Sequence, residues 1–404
     1  MSAELRQPWP LRRVEELFEI HSGITIGPGR APLKRTRGYL RVANVQRSRI
    51  DLNDVMEVEE LPGDSRRYTL EAGDLLIVEG HANPEEIGRC AVVNGESEGL
   101  LHQNHLYRLR GSRIIPRLAM ELLNSTSVRR YWLAHTATSS GLYTINRRLL
   151  AALQLPDISS GEQHRITEIM DSVTECERVA EMAIVKLGTI RTSLIEKRLS
   201  AVECWEPLGG RLDRIEAGHS PNLPGQPASP GEWGVLKVSA IGRNGFRPTE
   251  NKMVADRSMI DETCEVVQGD LLIARASTAN LVGRTCLVKK SPYRLMLSDK
   301  TLRIVEKSNL ADRQYINICF GMERVRRQIE GMSSGISQGM QNITQRSIEG
   351  IVLPWMSVEL QRRFVAEVQS IDDRIGVETA ALLKAKSLKE GLINDMLNGF
   401  KGSS

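Results

Sequence analysis

Two stretches of the chain carry hydrophobic residues at alternating spacings of three and four. From Gln163 to Ala201 there is no proline and one glycine, Gly188, while Ile166, Ile169, Val173, Cys176, Ala180, Ala183, Leu187, Ile190 and Leu194 fall on one stripe. From Glu359 to Phe400 the stripe is Phe364, Val368, Ile371, Ile375, Leu382, Ala385, Leu392 and Met396, with Glu378 as its one polar interruption. That period belongs to an amphipathic helix with a heptad seam. At 1.5 Å per residue each helix extends about 58 Å, longer than a globular domain is wide, so its stripe needs a partner. The expected partner is the other helix, paired antiparallel with one globular domain at each end. Ala180, Ala183, Ala380, Ala381 and Ala385 would let the axes approach near the middle. The competing expectation is that each helix packs on its own domain.

Elsewhere the pattern changes to short β-type runs such as YLRVANV, GDLLIV, KTLRIV and GVLKVSAI, broken by Gly, Pro, Asn and Asp. These runs recur at an offset of about 196 residues. GDLLIVEG at 73–80 returns as GDLLIARA at 269–276, GRCAVV at 88–93 as GRTCLV at 283–288, and Leu106 in HLYRLR matches Leu302 in KTLRIV. The order then continues through SSG at 139–141 and 333–335, Leu155-Pro156 and Leu353-Pro354, and Gln163-His-Arg-Ile and Gln361-Arg-Arg-Phe. The openings WPLRRVEELFEIHSG at 9–23 and WEPLGGRLDRIEAGH at 205–219 also correspond. The prediction is an α+β protein with internal pseudo-twofold symmetry. Two similar strand-rich mixed domains, 1–158 and 204–356, are each followed by a long helix, 159–203 and 357–404, the two helices forming an antiparallel coiled coil. Proline-rich segments at 27–38 and 218–232 read as surface loops.

Composition narrows the function classes. The 404 residues carry a net charge of +4, and the basic side chains are 41 arginines against 13 lysines, a bias that suits bidentate contacts to guanine and phosphate but also follows from a GC-rich genome. No stretch approaches 18 uninterrupted apolar residues and the N-terminus shows no signal-peptide pattern, which leads us to expect a cytoplasmic protein. Cys90, Cys176, Cys204, Cys264, Cys286 and Cys319 form no CxxC pair and read mostly as small core residues. There is no GxxxxGK[ST], no dinucleotide fingerprint, no Asn/Asp-Pro-Pro-aromatic tetrapeptide, no HExxH and no GxSxG. His102 and His105 read as polar loop residues. Glu79 and Glu85–Glu86 near Arg89 have the flavour of a nuclease site, but the second copy has Arg275 where the first has Glu79, so surface charge is the expected reading. No catalytic residue and no metal site is expected.

Two related domains, each with a GDLLI-type strand, a serine-glycine loop, an LP dipeptide and a long helix, resemble the specificity subunit of a type I restriction-modification system. The resemblance spans nearly the whole chain, including GISQGMQNITQRSIEGIVLP at 335–354, although TSSGLYTINRRLLAALQLP in the first copy lacks the Gln-Gly-Met-Gln run. It implies two target-recognition domains that each read half of a bipartite double-stranded DNA site, with paired helices that set the spacing and bind two methyltransferase subunits. It also implies restriction-translocase subunits as further partners. This chain itself would be non-catalytic and without a cofactor, S-adenosylmethionine and ATP with magnesium belonging to the partners.

Loop residues able to touch phosphates and base edges then become the candidates. In the first domain these are Arg30, Lys34, Arg35, Arg37, His102, Asn104, Ser140 and Tyr143. In the second they are Arg243, Asn244, Arg247, Arg275, Lys300, Ser334, Gln338, Gln341 and Asn342. The alternatives are a recognition subunit serving a fused methyltransferase-nuclease, a coiled-coil protein adaptor that never meets DNA, and a nuclease with a hidden metal site.

Overall fold

The computed structural model describes residues 9–111, 113–136, 141–221, 223, 225–242, 245–278, 281–290, 292–333 and 341–397. The chain divides into two compact units: Met1–Glu181 with Thr379–Ser404, and Met182–Glu378. Each unit thus contains one globular domain, half of the first long helix and half of the second.

In the first unit a four-stranded antiparallel sheet runs in the order Glu19–Ser22, Leu106–Arg110, Leu75–Val78, Cys90–Val92. The apolar run Leu75–Val78 is fully buried, and its period of two sends alternate side chains to opposite faces. Leu75 and Ile77 pack against the helices Pro116–Leu123 and Thr126–His135 through Leu118, Leu122 and Trp132. Leu76 and Val78 face a second cluster with Leu40, Val45, Leu70 and Leu106. A three-stranded sheet follows in the order Leu101–His102, Thr36–Leu40, Met56–Glu59. Strand Leu11–Arg13 pairs antiparallel with Gln154–Pro156, fastening the beginning of the domain to its end.

The second unit repeats this plan strand for strand. Its four-stranded sheet is Leu212–Glu216, Thr301–Glu306, Leu271–Ala274, Thr285–Leu287; its three-stranded sheet is Asn251–Met253, Gly234–Leu236, Leu295–Met296; and Trp205–Pro207 closes on Val352–Pro354. The repeated glycines do the same job in both copies. Gly88 and Gly283 have φ of 64° and 66°, and a Cβ there would lie 2.5 Å from Trp132 Nε1 and 2.6 Å from Ile329 Cγ2. Neither the left-handed backbone nor the contact admits a side chain. One register differs from the sequence match. Leu106 stands opposite Val78 and Thr301 opposite Ala274, so Leu106 corresponds to Thr301 and Tyr107 to Leu302.

The long helices are Ser160–Ser200 and Val358–Met396, within a few residues of the expected limits. A buried glutamine roots each in its own domain. Gln163 accepts from the Ile115 N–H at 2.8 Å and donates to the carbonyls of Arg113 (2.9 Å) and Ile158 (2.8 Å). Gln361 accepts from the Asp312 N–H at 2.8 Å and donates to the carbonyls of Leu310 (3.4 Å) and Met356 (2.8 Å). Within each unit the helices also run antiparallel to each other. In the first, Lys386 reaches Glu181 at 3.1 Å and Lys389 reaches Thr174 at 3.4 Å. In the second, Arg191 pairs with Asp372 at 2.5 Å and Arg198 with Glu367 at 3.3 Å.

Pairing and packing on the domain therefore occur together. Ile393, Met396 and Leu397 join the core of the first domain with Met170, and Ile195, Leu199, Phe364, Val365 and Val368 join that of the second. Phe364, Val368 and Met396 are buried and Ile371, Ile375, Leu382, Ala385 and Leu392 half-buried, as the second stripe requires. The first stripe needs correction. Val173 and Ala180 are buried and Ile166, Ala183, Leu187 and Leu194 half-buried, but Ile169 and Ile190 are 49% and 45% exposed and Cys176 is exposed. The buried line instead passes through Met170, Ile195 and Leu199. Ala380 and Ala381 are exposed and do not form a close-approach surface.

Candidate nucleic-acid interface

The basic loop of the first domain is held by acids that follow it in the chain. The Glu59 carboxylate accepts the N–H groups of Leu33 (2.9 Å), Lys34 (2.9 Å) and Arg35 (3.1 Å), and these hydrogen bonds, Leu33's foremost, hold it below the usual carboxylate range. Glu60, buried beneath, pairs with Arg35 and Arg37 at 3.1 Å each. Its pKa too is lowered, first by the Ser65 hydroxyl and then by Arg37. Arg30 is engaged with the buried carboxylate of Asp64. Arg30 and Arg37 therefore brace the loop, while Lys34 and Arg35 stand exposed on it.

His102 does not belong to an interface. It is fully buried, its Nδ1 lies 3.1 Å from the Tyr68 carbonyl oxygen, and burial lowers its pKa to about 4. The parallel pairing of Leu101–His102 with Tyr39–Leu40 turns it inward. Asn104 is half-buried in the following turn, its N–H bonded to the Ile24 carbonyl at 2.8 Å.

In each domain the chain leaves the central strand and enters a small antiparallel ribbon. In the first, Gly80–His81 pairs with Tyr143–Thr144; in the second, Ala276–Ser277 pairs with Gln341–Asn342. The residue between strand and ribbon is Glu79 or Arg275, and its backbone is held identically. The Glu79 N–H donates to the His105 carbonyl (3.0 Å) and its carbonyl accepts from Ile145 (2.7 Å); the Arg275 N–H donates to the Lys300 carbonyl (2.9 Å) and its carbonyl accepts from Ile343 (3.0 Å).

The side chains differ. Glu79 accepts from the Tyr107 hydroxyl at 3.0 Å and lies 2.9 Å from His105 Nδ1. Burial, reinforced by Glu79, pushes the Tyr107 phenol up to about 12, so it stays a donor. Arg275 donates through Nε to the Ile343 carbonyl at 3.2 Å, and no carboxylate pairs with it among the described residues. Gln341 accepts from the Ser333 hydroxyl at 2.9 Å, and Asn342 and Lys300 are exposed beside it. Lys300 also lines a groove of about 370 Å³ with Lys237, Lys252, Ser220 and Ser298.

The structure thus brings Arg275, Lys300, Gln341 and Asn342 together in the second domain and sets Tyr143 at the matching place in the first. Arg247 stands exposed on a separate hairpin, and Ser140, Arg243, Asn244, Ser334 and Gln338 lie outside the described residues. Glu79, read from sequence as surface charge, is a half-buried, hydrogen-bonded member of this place. His81, Lys237 and Lys252 were not among the candidates and His105 was read only as a polar loop residue; the exchange of Glu79 for Arg275 between the two GDLLI motifs was the signal that could have marked this place. Cys90, Cys286 and Cys319 are buried as expected of core residues, but Cys176 and Cys204 are exposed. Among the described residues no group of three His, Cys, Asp or Glu side chains is arranged for a metal, and no helix is long and apolar enough to cross a membrane.

Known proteins share this architecture. A chain from a structural study of complex assembly and conformational transition in the type I restriction-modification system superposes with a TM-score of 0.59 at 15% identity, covering 98% of this chain and 99% of that one. The type I S subunit of M. genitalium gives 0.59 at 13%, covering 98% of each. The fold is that of a type I specificity subunit. Sequence relatives carry the same name. The type I restriction enzyme EcoEI specificity subunit of Escherichia coli is 34% identical over 161 residues, a match spanning 39% of this chain and 27% of that protein. The provisionally named MjaX specificity subunit of Methanocaldococcus jannaschii is 23% identical over 98% of this chain and 94% of its own length. No family model matches the chain. Within the specificity-subunit fold, the strand-to-ribbon place carries different side chains in the two domains on one backbone frame.

Proposed function

We propose that this chain is the non-catalytic DNA-recognition subunit of a type I restriction-modification enzyme, each domain reading one half of a bipartite site. The carrying observation is the duplicated ribbon: the same backbone hydrogen bonds hold Glu79 and Arg275, while the side chains around them differ. Two readers with one frame and different chemistry suit a site whose halves differ in sequence. Exposed basic residues such as Lys34 and Arg35, and the lysine-lined groove of the second domain, supply phosphate attraction, and polar groups on the ribbons supply base contacts.

The long helices take the spacing role and dock two methyltransferase subunits, with restriction subunits completing the enzyme. Two features support this: each helix is anchored at its start by a three-bond glutamine, and antiparallel ion pairs hold the helices together within each unit. S-adenosylmethionine and ATP with magnesium act in those partners. Sequencing of methylated bases in cells with and without the gene tests the proposal. The expected result is loss of methylated adenine in one split, asymmetric motif; an unchanged methylome in cells that express the whole system contradicts it.

A further inference from the structure

Resting on the reading of the domains as half-site readers, we propose that the residue between central strand and ribbon is the specificity-determining position of each domain. Glu79 requires the N4 amino group of a cytosine in one half-site, and Arg275 requires the O6 and N7 acceptors of a guanine in the other.

The argument starts from equivalence. Glu79 and Arg275 follow identical buried GDLLI strands, make the same two backbone hydrogen bonds and precede the same two-residue ribbon. Position is therefore conserved between the copies while hydrogen-bonding character is inverted. A carboxylate only accepts, a guanidinium only donates, and the major-groove edges of a C·G pair offer a donor on cytosine and two acceptors on guanine.

The neighbours match each assignment. Tyr107 and His105 each occupy one Glu79 oxygen, which fixes the carboxylate and leaves lone pairs for a base amino group. In the second domain Leu302 replaces Tyr107 and Lys300 replaces His105, and among the described residues no carboxylate pairs with the guanidinium. The bond from Arg275 Nε to the Ile343 carbonyl orients the plane and leaves the two terminal nitrogens for a bidentate contact.

The test uses the full chain co-expressed with its methyltransferase subunits and a library of duplexes carrying randomised half-sites, read by methylation. Wild type must first show a bipartite motif; its absence defeats the half-site reading itself. Given a motif, each half must contain a C·G pair, and a half built only of A·T pairs overturns the inference while leaving the half-site reading intact. Arg275→Gln is expected to relax guanine preference about tenfold or more at one base of one half-site, and Glu79→Gln to relax a cytosine in the other half only. Unchanged preferences in both variants overturn the proposal. So does loss of all methylation in both Arg275→Gln and the charge-preserving Arg275→Lys, because a reading residue alters preference rather than assembly.

Discussion

Replacing Gln163 with alanine removes one acceptor and two donated hydrogen bonds at the root of the first long helix. The Ile115 N–H and the carbonyls of Arg113 and Ile158 then lose their partner where water has little access, since Gln163 is only 4% exposed. At about 1 kcal/mol for each bond, with a further cost for any buried group left unsatisfied, the first unit should lose about 3 kcal/mol or more. For a unit of this size that lowers Tm by about 6–12 °C. Gln361→Ala should cost somewhat less in the second unit, because its bond to Leu310 is long at 3.4 Å. Gln163→Glu keeps the acceptor, loses both donors and buries a charge, so it should be worse than alanine. Denaturant-dependent hydrogen exchange on the whole chain separates the two units. Protection lost at residues 113–125 and at the start of the first helix, with the second unit unaffected, is the expected pattern for Gln163→Ala. Stability within about 0.5 kcal/mol of wild type would falsify the idea that this side chain roots the helix.

Other expectations follow from the duplicated frame. Gly88→Ala and Gly283→Ala each combine a left-handed backbone with a clash below 3 Å, and should cost about 2–4 kcal/mol, visible as lowered Tm; a neutral outcome means the backbone can leave φ of 64–66° freely. His102, whose pKa is lowered to about 4 by burial, is neutral when folded. The unfolded chain gains a proton below about pH 6.5, so stability should fall by about 3 kcal/mol as pH drops from about 6.5 to about 4 and level off below. His102→Leu copies the second domain, where the Leu297 carbonyl lies over Gly218 as that of His102 lies over Gly23, and should flatten that slope in urea titrations; an unaltered slope assigns the effect elsewhere.

Much of the fold was legible because the chain states it twice. The matched GDLLI motifs, the glycines at 88 and 283 and the glutamines at 163 and 361 each do the same mechanical job in both copies, and only residues under such constraint stay recognisable. The first helix misled because it has apolar residues on more than one face. Ile169 beside Met170, and Ile190 among Leu187, Leu194 and Ile195, allow two stripes of equal quality, and packing on the domain chose the one through Met170 and Ile195. The one-residue slip at Leu106 has a similar origin, since leucines sit at adjacent register positions in the two strands.

The site was less legible because charge partners lie far along the chain. Nothing local to Arg30 or Arg37 announces Asp64 or Glu60, whose carboxylates engage the two guanidiniums and hold them against the loop. His102 looked like a loop residue until the parallel strand pairing placed it in the core. Glu79 was dismissed because its counterpart is an arginine, and that inversion is what marks the position.

Exchanging residues 204–356 for the corresponding domain of a known type I specificity subunit, then sequencing the methylated motif, tests most directly whether the two domains read DNA separately. A change confined to one half of the motif, with the other half and adenine methylation retained, is the predicted result. Simultaneous change of both halves contradicts it.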